Sequence, residues 1–551
     1  MAFEAFRKSV TLFNENSAQV KWNHLNECAK MKFTSASAIK QYHDNLLFTL
    51  AYPENHALYN LAASEMLRLA NFIQTSSIAL KEKLILSGIA NTQTDGAFSL
   101  SLAKWLLNEY GNHVELHSFD ENGTHPKEVL KYCFPDMEFE MLADEKLKAK
   151  QWVEKMSGTK SKHDQLKWLV NQVYSIKANE FIKDQLFESL NVYITVHGSD
   201  KKFSRSYGNV FPNQLYYHAN GILKKFDEAA LINKKLPKAT KLNNEQSNKI
   251  INASRTALAL LNRETDPVTY CNEDGLTYYE LEHGLSIALF SMLPQRRLPL
   301  ESYIGFMMFK NGYPMAYGGG WLFGHRSLLG INIFEAFRGG ESAFVFAQLL
   351  RTYKNAFGAE YFEVEPYQFG KNNPEGLQSG AFWFYYRFGF RPLDSQLNQL
   401  ALSEAAKIAS EKGYRSSIDT LKKFTAGNVF VNFSKKSPPL NPSLISKFIS
   451  KKIALNYKGD REQAISDSRR ILIKALSLSQ KFVRENRVGI QKLGEFFAIC
   501  TDINRLNAAQ KAQIKKLLEE KSFSEFNYIN TLSKTDLRKM ITKECLDFIS
   551  C

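Results

Sequence analysis

The sequence predicts an α+β protein: a central mixed β-sheet flanked by mainly α-helical N- and C-terminal regions. Three observations carry this. Residues 1–265 recur to apolar positions at helical spacing; residues 268–433 switch to β-branched and aromatic runs broken by tight turns; residues 443–551 return to a helical pattern. A chain of 551 residues exceeds one ordinary core and fits about three domains of ~150 residues. The expected boundaries are 1–240, 244–433 and 443–551. Apolar residues at 44% against 23% charged, with 40 Phe and 24 Tyr, exclude a disordered chain and supply ample area for burial.

In the first region the segment 55–74 is a helix, with Leu58, Leu61, Ala62, Met66, Leu69 and Ile73 on one face. Two β-rich runs, 114–119 and 191–197, add a small mixed part. Polar basic stretches at 157–163 and 233–243 read as connectors, the second preceding a long helix at 244–262. The sheet region then offers TYYELEH, LSIALFSM and SYIGFMMF. Asn311-Gly312 is a strong hairpin signal leading into YPMAYGGGW. LLGINIF is the next strand, followed by a helix with Ala343, Phe346, Ala347, Leu350 and Tyr353 at core spacing, the strand YFEVEPYQF, and an aromatic helix capped by Gly389. A strand, helix, strand unit implies parallel neighbours. Helices at 395–412 and 416–425 precede a last strand, VFVNF, and 434–442 reads as a linker.

The opening residues lack the uninterrupted apolar run of a secretory signal, and no window holds the ~18 apolar residues that cross a bilayer. Six scattered cysteines show no CxxC pair, so free thiols and a cytoplasmic location are expected. The formal charge of +15 is concentrated at the end: from Ser434 onward 23 Lys and Arg face 12 Asp and Glu. Arg469, Arg470, Lys481, Arg484 and Arg487 on these helices form either a solvated face or a nucleic-acid or acidic-lipid contact; sparse aromatic interleaving favours the solvated face. His113, His117 and His125 lack a completing carboxylate or thiol, so no metal is expected.

The chemistry centres on Arg338-Gly339-Gly340-Glu341-Ser342-Ala343, a turn between strand and helix whose free amides could bind an anion. Glycines in such a turn also serve turn geometry alone. With Ala381-x-x-Phe384-Tyr385-x-x-x-Gly389-Phe390 following in order, the segment 302–433 resembles the core of the GNAT (N-acetyltransferase-like) superfamily. The resemblance implies a mixed sheet with helices on both faces and an acyl-CoA co-substrate. Ile331, Asn332, Ile333 and Phe334 would flank the thioester, Arg338 to Ala343 would cradle the pyrophosphate, and Tyr385 would protonate the departing thiolate. Two positions depart from the family pattern: Glu341 replaces a glycine and Ser379 an asparagine. A Glu341 carboxylate ~4 Å from the pyrophosphate would cost ~4 kcal/mol. The expected pose points it to solvent, where a helix N-terminus favours an acid.

Acyl transfer to an amine needs a proton acceptor. Glu363 and Glu365, two apart on a strand and so on one side, are the first candidates for general base, with Glu335 third. The competing reading pairs these acids with Arg387 or Arg391. In FWFYYRF, Tyr385 competes with a purely core role. The Gly-rich run 317–326 lines an acyl or acceptor channel or forms a bulge, and His325-Arg326 either meets the CoA phosphates or lies exposed. The leading expectation is an acyl-CoA-dependent N-acyltransferase acting on a small-molecule or peptide amine. A catalytically degenerate binding or scaffold protein, and a transferase using aminoacyl-tRNA, stand beside it.

Overall fold

The computed structural model describes residues 2–33, 35–138, 146–210, 212, 214–434 and 438–550. It is an α+β protein with two sheets. The smaller one contains β1 (Gln93–Ala97), β2 (Val114–Phe119) and β3 (Val192–His197) in the order β1-β3-β2, with β3 antiparallel to both neighbours. The two predicted runs are β2 and β3. The polar strand QTDGA of β1 was not legible, because its pairing with β3 rather than its residue types makes it a strand.

The larger sheet has eight strands: β4 (Leu276–Glu280), β5 (Leu285–Phe290), β6 (Ser302–Lys310), β7 (Tyr313–Phe323), β8 (Arg326–Ile333), β9 (Tyr361–Val364), β10 (Arg391–Pro392) and β11 (Val429–Asn432). Their order is β10-β11-β9-β8-β7-β6-β5-β4, and every pair is antiparallel except β8 with β9. Asn311 and Gly312 turn β6 into β7 with φ of 47° and 84°, the left-handed pair this hairpin demands. The Asn311 amide also donates to Ala51 O and Tyr216 O, fastening the hairpin tip to the N-terminal region.

Helix Ser342–Phe357 covers one face of the sheet, where Ile304, Phe306 and Met308 are buried with Val345, Phe346 and Leu349. Gly320 lets the Tyr353 ring approach within contact of the sheet, and the Tyr353 hydroxyl donates to Ile304 O at 2.7 Å. Helix Asn244–Ala259, opened by a reciprocal Asn243 and Gln246 cap, packs Ile250 and Ile251 near Met307 and Phe309 on the opposite face.

The first four helices (Ala2–Ser9, Ser17–Cys28, Ala36–Ala51, His56–Gln74) and the C-terminal helices bury their apolar faces in the same core as the sheet. Residues such as Leu106, Leu116, Trp152, Leu169 and Ile194 form a separate core around the small sheet. Of the expected linker at 434–442, residues 435–437 lie outside the described residues. The C-terminal helices are anchored to the sheet by Arg297, which donates to Lys521 O at 2.7 Å, and by the Tyr528 hydroxyl on Leu300 O at 2.8 Å.

Candidate functional site

Parallel pairing of β8 with β9 lasts three residues: Arg326 with Tyr361, Ser327 with Phe362 and Leu328 with Glu363. Pro366 then opens a 3-10 turn (Pro366–Phe369), and a proline has no N–H to continue a ladder. β8 runs on to Ile333, so Leu329 to Ile333 have β7 on one side and, among the described residues, no strand on the other. The pairing ends with Glu363, just before β9 itself stops at Val364.

A cavity of about 130 Å³ lies beside this end of the pairing, bordered by Tyr317, Trp321, Leu328, Asn332, Glu365 and Gln368 among others. Its floor follows from the register. Gly305 stands opposite Gly319, and Gly319 opposite Gly330, so three glycines lie side by side across β6, β7 and β8. Each leaves room that a neighbour uses: a Cβ would come 2.9 Å from Pro267 at Gly305, 2.4 Å from the Tyr303 ring at Gly319 and 3.1 Å from Gln368 Nε2 at Gly330. Tyr303 and Trp321 stack with centroids 4.2 Å apart to form one wall. The Gly-rich run therefore lines the cavity with Tyr317, Gly318, Gly319 and Trp321 and packs against helix Ser342–Phe357 with Gly320.

The turn at 338–343 is more occupied than the sequence suggests. Glu341 does not face solvent. It is 2% exposed, with Oε2 2.6 Å from Lys310 Nζ and Oε1 accepting from the Leu223 N–H at 2.7 Å. This corrects the expected outward pose. The buried ammonium at the β6 end and a backbone donor together replace the hydration that a carboxylate loses on burial. His283 Nδ1 and His218 Nδ1 lie 3.7 and 4.0 Å from Oε1. Burial, only partly offset by Glu341, brings the Lys310 pKa down to about 8. Burial and then the Lys310 charge hold His218 down at about 3.

Gly340 admits no Cβ because the Tyr52 ring and hydroxyl stand 2.7 Å from where it would be. A protein side chain thus takes the close approach expected of a ligand there. Gly339, at φ 102°, is exposed, with only Thr11 within 4 Å of a Cβ position. The amides of Ser342, Ala343 and Phe344 have no protein acceptor among the described residues. Arg338 is exposed and ion-paired with Glu375, and its Nε reaches Ile333 O at 3.4 Å.

No family model, curated protein or solved structure matches the chain.

The remaining expected site residues divide by position. Ile331 is buried, Asn332 borders the cavity, Ile333 is half-buried, and Phe334 packs on Tyr317 at 5.5 Å. Tyr385 is 4% exposed, ringed by Phe346, Phe369 and Phe390, and its hydroxyl donates to Gln368 Oε1 at 3.5 Å. Burial raises its pKa. It borders the cavity only through Gln368. Glu363 is held by Arg326 in a two-pronged pair at 2.9 and 3.0 Å and by Asn428 at 3.1 Å, so its carboxylate is committed. Glu365 lies past the end of β9, exposed at the cavity rim with no ion pair among the described residues. Glu335 is exposed in the 3-10 turn Glu335–Phe337.

Neither expected arginine partner meets these acids: Arg387 binds Glu228, and Arg391 lies over the Tyr386 ring at 3.5 Å. Arg326 opens β8 and His325 precedes it, roughly 23 Å of strand from its far end at ~3.3 Å per residue, which removes the pair from the turn. His113 meets Ser199 at 2.9 Å, His117 meets Ser118, and His125 meets Leu147 O. Three residues were not singled out by sequence reasoning: Lys310, Tyr52 and Gln368. Lys310 was open to notice as a lone charge ending an apolar strand. Tyr52 and Gln368 gain their roles only from distant chain segments.

Proposed function

We propose that the chain is an acyl-CoA-dependent N-acyltransferase that moves an acetyl or longer acyl group to an amine. The observation that carries this reading is the end of the β8–β9 pairing beside a cavity, with amides at the start of the helix joining the two strands that have no protein acceptor among the described residues. An extended thioester arm could lie along Leu329 to Ile333 and use the backbone groups that β9 leaves unpaired. The amides of Ser342 to Phe344 would meet a diphosphate, and Arg338 would add charge from the exposed side. Because Glu341 is turned inward and balanced by Lys310, it places no net charge against that anion. Of the three acids, Glu365 is the one both uncommitted and at the cavity rim, and it would take the proton of the attacking amine.

Calorimetric titration of the full chain with acetyl-CoA and with CoA tests the reading. It predicts one site of micromolar affinity, and loss of at least tenfold on Arg338→Glu. Absence of heat with both ligands would remove it. The Tyr52 ring under Gly340 favours a second reading, a binding or scaffold protein in which the turn is filled by its own chain. Under that reading Tyr52→Ala would not alter the response to acetyl-CoA.

A further inference from the structure

We infer that Gln368 is the hydrogen-bond donor to the thioester carbonyl, and that Tyr385 acts by orienting it. The inference rests on the transferase reading above and names a residue in the same site. Gln368 lies in the 3-10 turn that follows β9, and its side chain borders the cavity beside Gly330 of β8. Its Nε2 stands 3.1 Å from the point where a Cβ on Gly330 would be, a space kept open by a glycine in an extended strand. The Oε1 end is engaged by the Tyr385 hydroxyl at 3.5 Å. Tyr385 is fixed by three phenylalanine rings at 5.5 to 6.3 Å, so the phenol is a stationary donor. Donation by the phenol decides which end of the amide faces which way: the oxygen toward Tyr385, the NH₂ toward Gly330 and the cavity.

A neutral donor pair held there suits the charge that develops in acyl transfer. The amine nitrogen attacks the carbonyl carbon, a C–N bond forms, and the C=O π pair moves onto oxygen, where the Gln368 N–H groups stabilise it. The carbonyl then re-forms, the C–S bond breaks, and its electron pair leaves on sulfur. The amine proton passes to Glu365 or water, and the thiolate takes a proton from water; nothing is oxidised or reduced. Tyr385 never contacts the substrate in this scheme and is a positioning residue. Its buried, proton-retaining phenol is suited to donating a fixed hydrogen bond rather than to giving the proton away.

The test uses the full chain with acetyl-CoA carrying ¹³C at the carbonyl. Isotope-edited infrared spectra of the bound ligand report hydrogen bonding to that oxygen, and calorimetry gives affinity in the same samples. The wild type is expected to shift the carbonyl band to lower frequency than in free acetyl-CoA. Gln368→Ala and the shape-conserving Gln368→Glu should both return the band toward the free position in samples where calorimetry shows the ligand bound. Tyr385→Phe should produce a smaller return, and adding it to Gln368→Ala should change nothing further. A band that stays shifted in either Gln368 variant, or a Tyr385→Phe effect that persists without Gln368, overturns the inference while leaving the transferase reading standing. Failure of the wild type to bind acetyl-CoA overturns both.

Discussion

At Glu341 and Lys310 two opposite charges are both about 1% exposed and 2.6 Å apart. Removing one partner of such a pair leaves the other charge buried and alone, at a cost of ~3–5 kcal/mol, whereas replacing both with apolar groups is nearly neutral. Lys310→Met is therefore expected to lower stability by ~3–5 kcal/mol in urea unfolding, and Lys310→Met with Glu341→Leu to recover most of that loss. Additive losses would contradict the pairing. His218 gives a second prediction at this scale. Its folded pKa of about 3 lies below the ordinary 6.5, held there by burial and then by Lys310, with His283 and Lys21 adding smaller repulsions. The unfolded chain binds the proton first, so stability is complete above pH 6.5 and falls as pH drops toward 3, by up to ~1.4 kcal/mol per pH unit. Urea midpoints between pH 7 and 4 should show that slope in the wild type and a shallower one in His218→Gln; identical slopes would contradict it.

Strand β7 shows how one element can serve two faces. Gly320 meets Tyr353 of the covering helix, while Gly319 faces the cavity under the Tyr303 ring. Gly319→Ala would place a Cβ 2.4 Å from that ring, so the Tyr303 and Trp321 stack must open. We expect a loss of ~1–3 kcal/mol and a changed Trp321 fluorescence; an unaltered spectrum would contradict the close approach. β-branched and aromatic runs and the Asn311-Gly312 turn made β4 to β9 and β11 legible, because those signals are local. Other features depend on partners far along the chain. The commitment of Glu363 comes from Arg326, 37 positions away, and the inward turn of Glu341 from Lys310 and Leu223. The equal sidedness expected of Glu363 and Glu365 failed for a local reason, since β9 stops at Val364 before Pro366. Gln368 was invisible because glutamine in a turn carries no signal until Tyr385 is brought to it.

Across the whole molecule, the sheet, the first helices and the C-terminal helices share one core, with Tyr52 under the 338–343 turn and Lys521 and Glu525 paired beneath β6. The turn itself is held by Tyr52 of the third helix's end, Lys310 of β6 and the Leu223 amide, three separate parts of the chain. A ligand that uses the amides of this turn should leave its record on the backbone of β8 beyond Leu328. Residue-resolved hydrogen exchange with and without CoA addresses this directly. The account predicts slowed exchange at the amides of Leu329 to Ile333 that face away from β7 and at Ser342 to Phe344, with β4 and β5 unchanged. Unchanged exchange at both segments in saturating CoA, or protection confined to other regions, would contradict it.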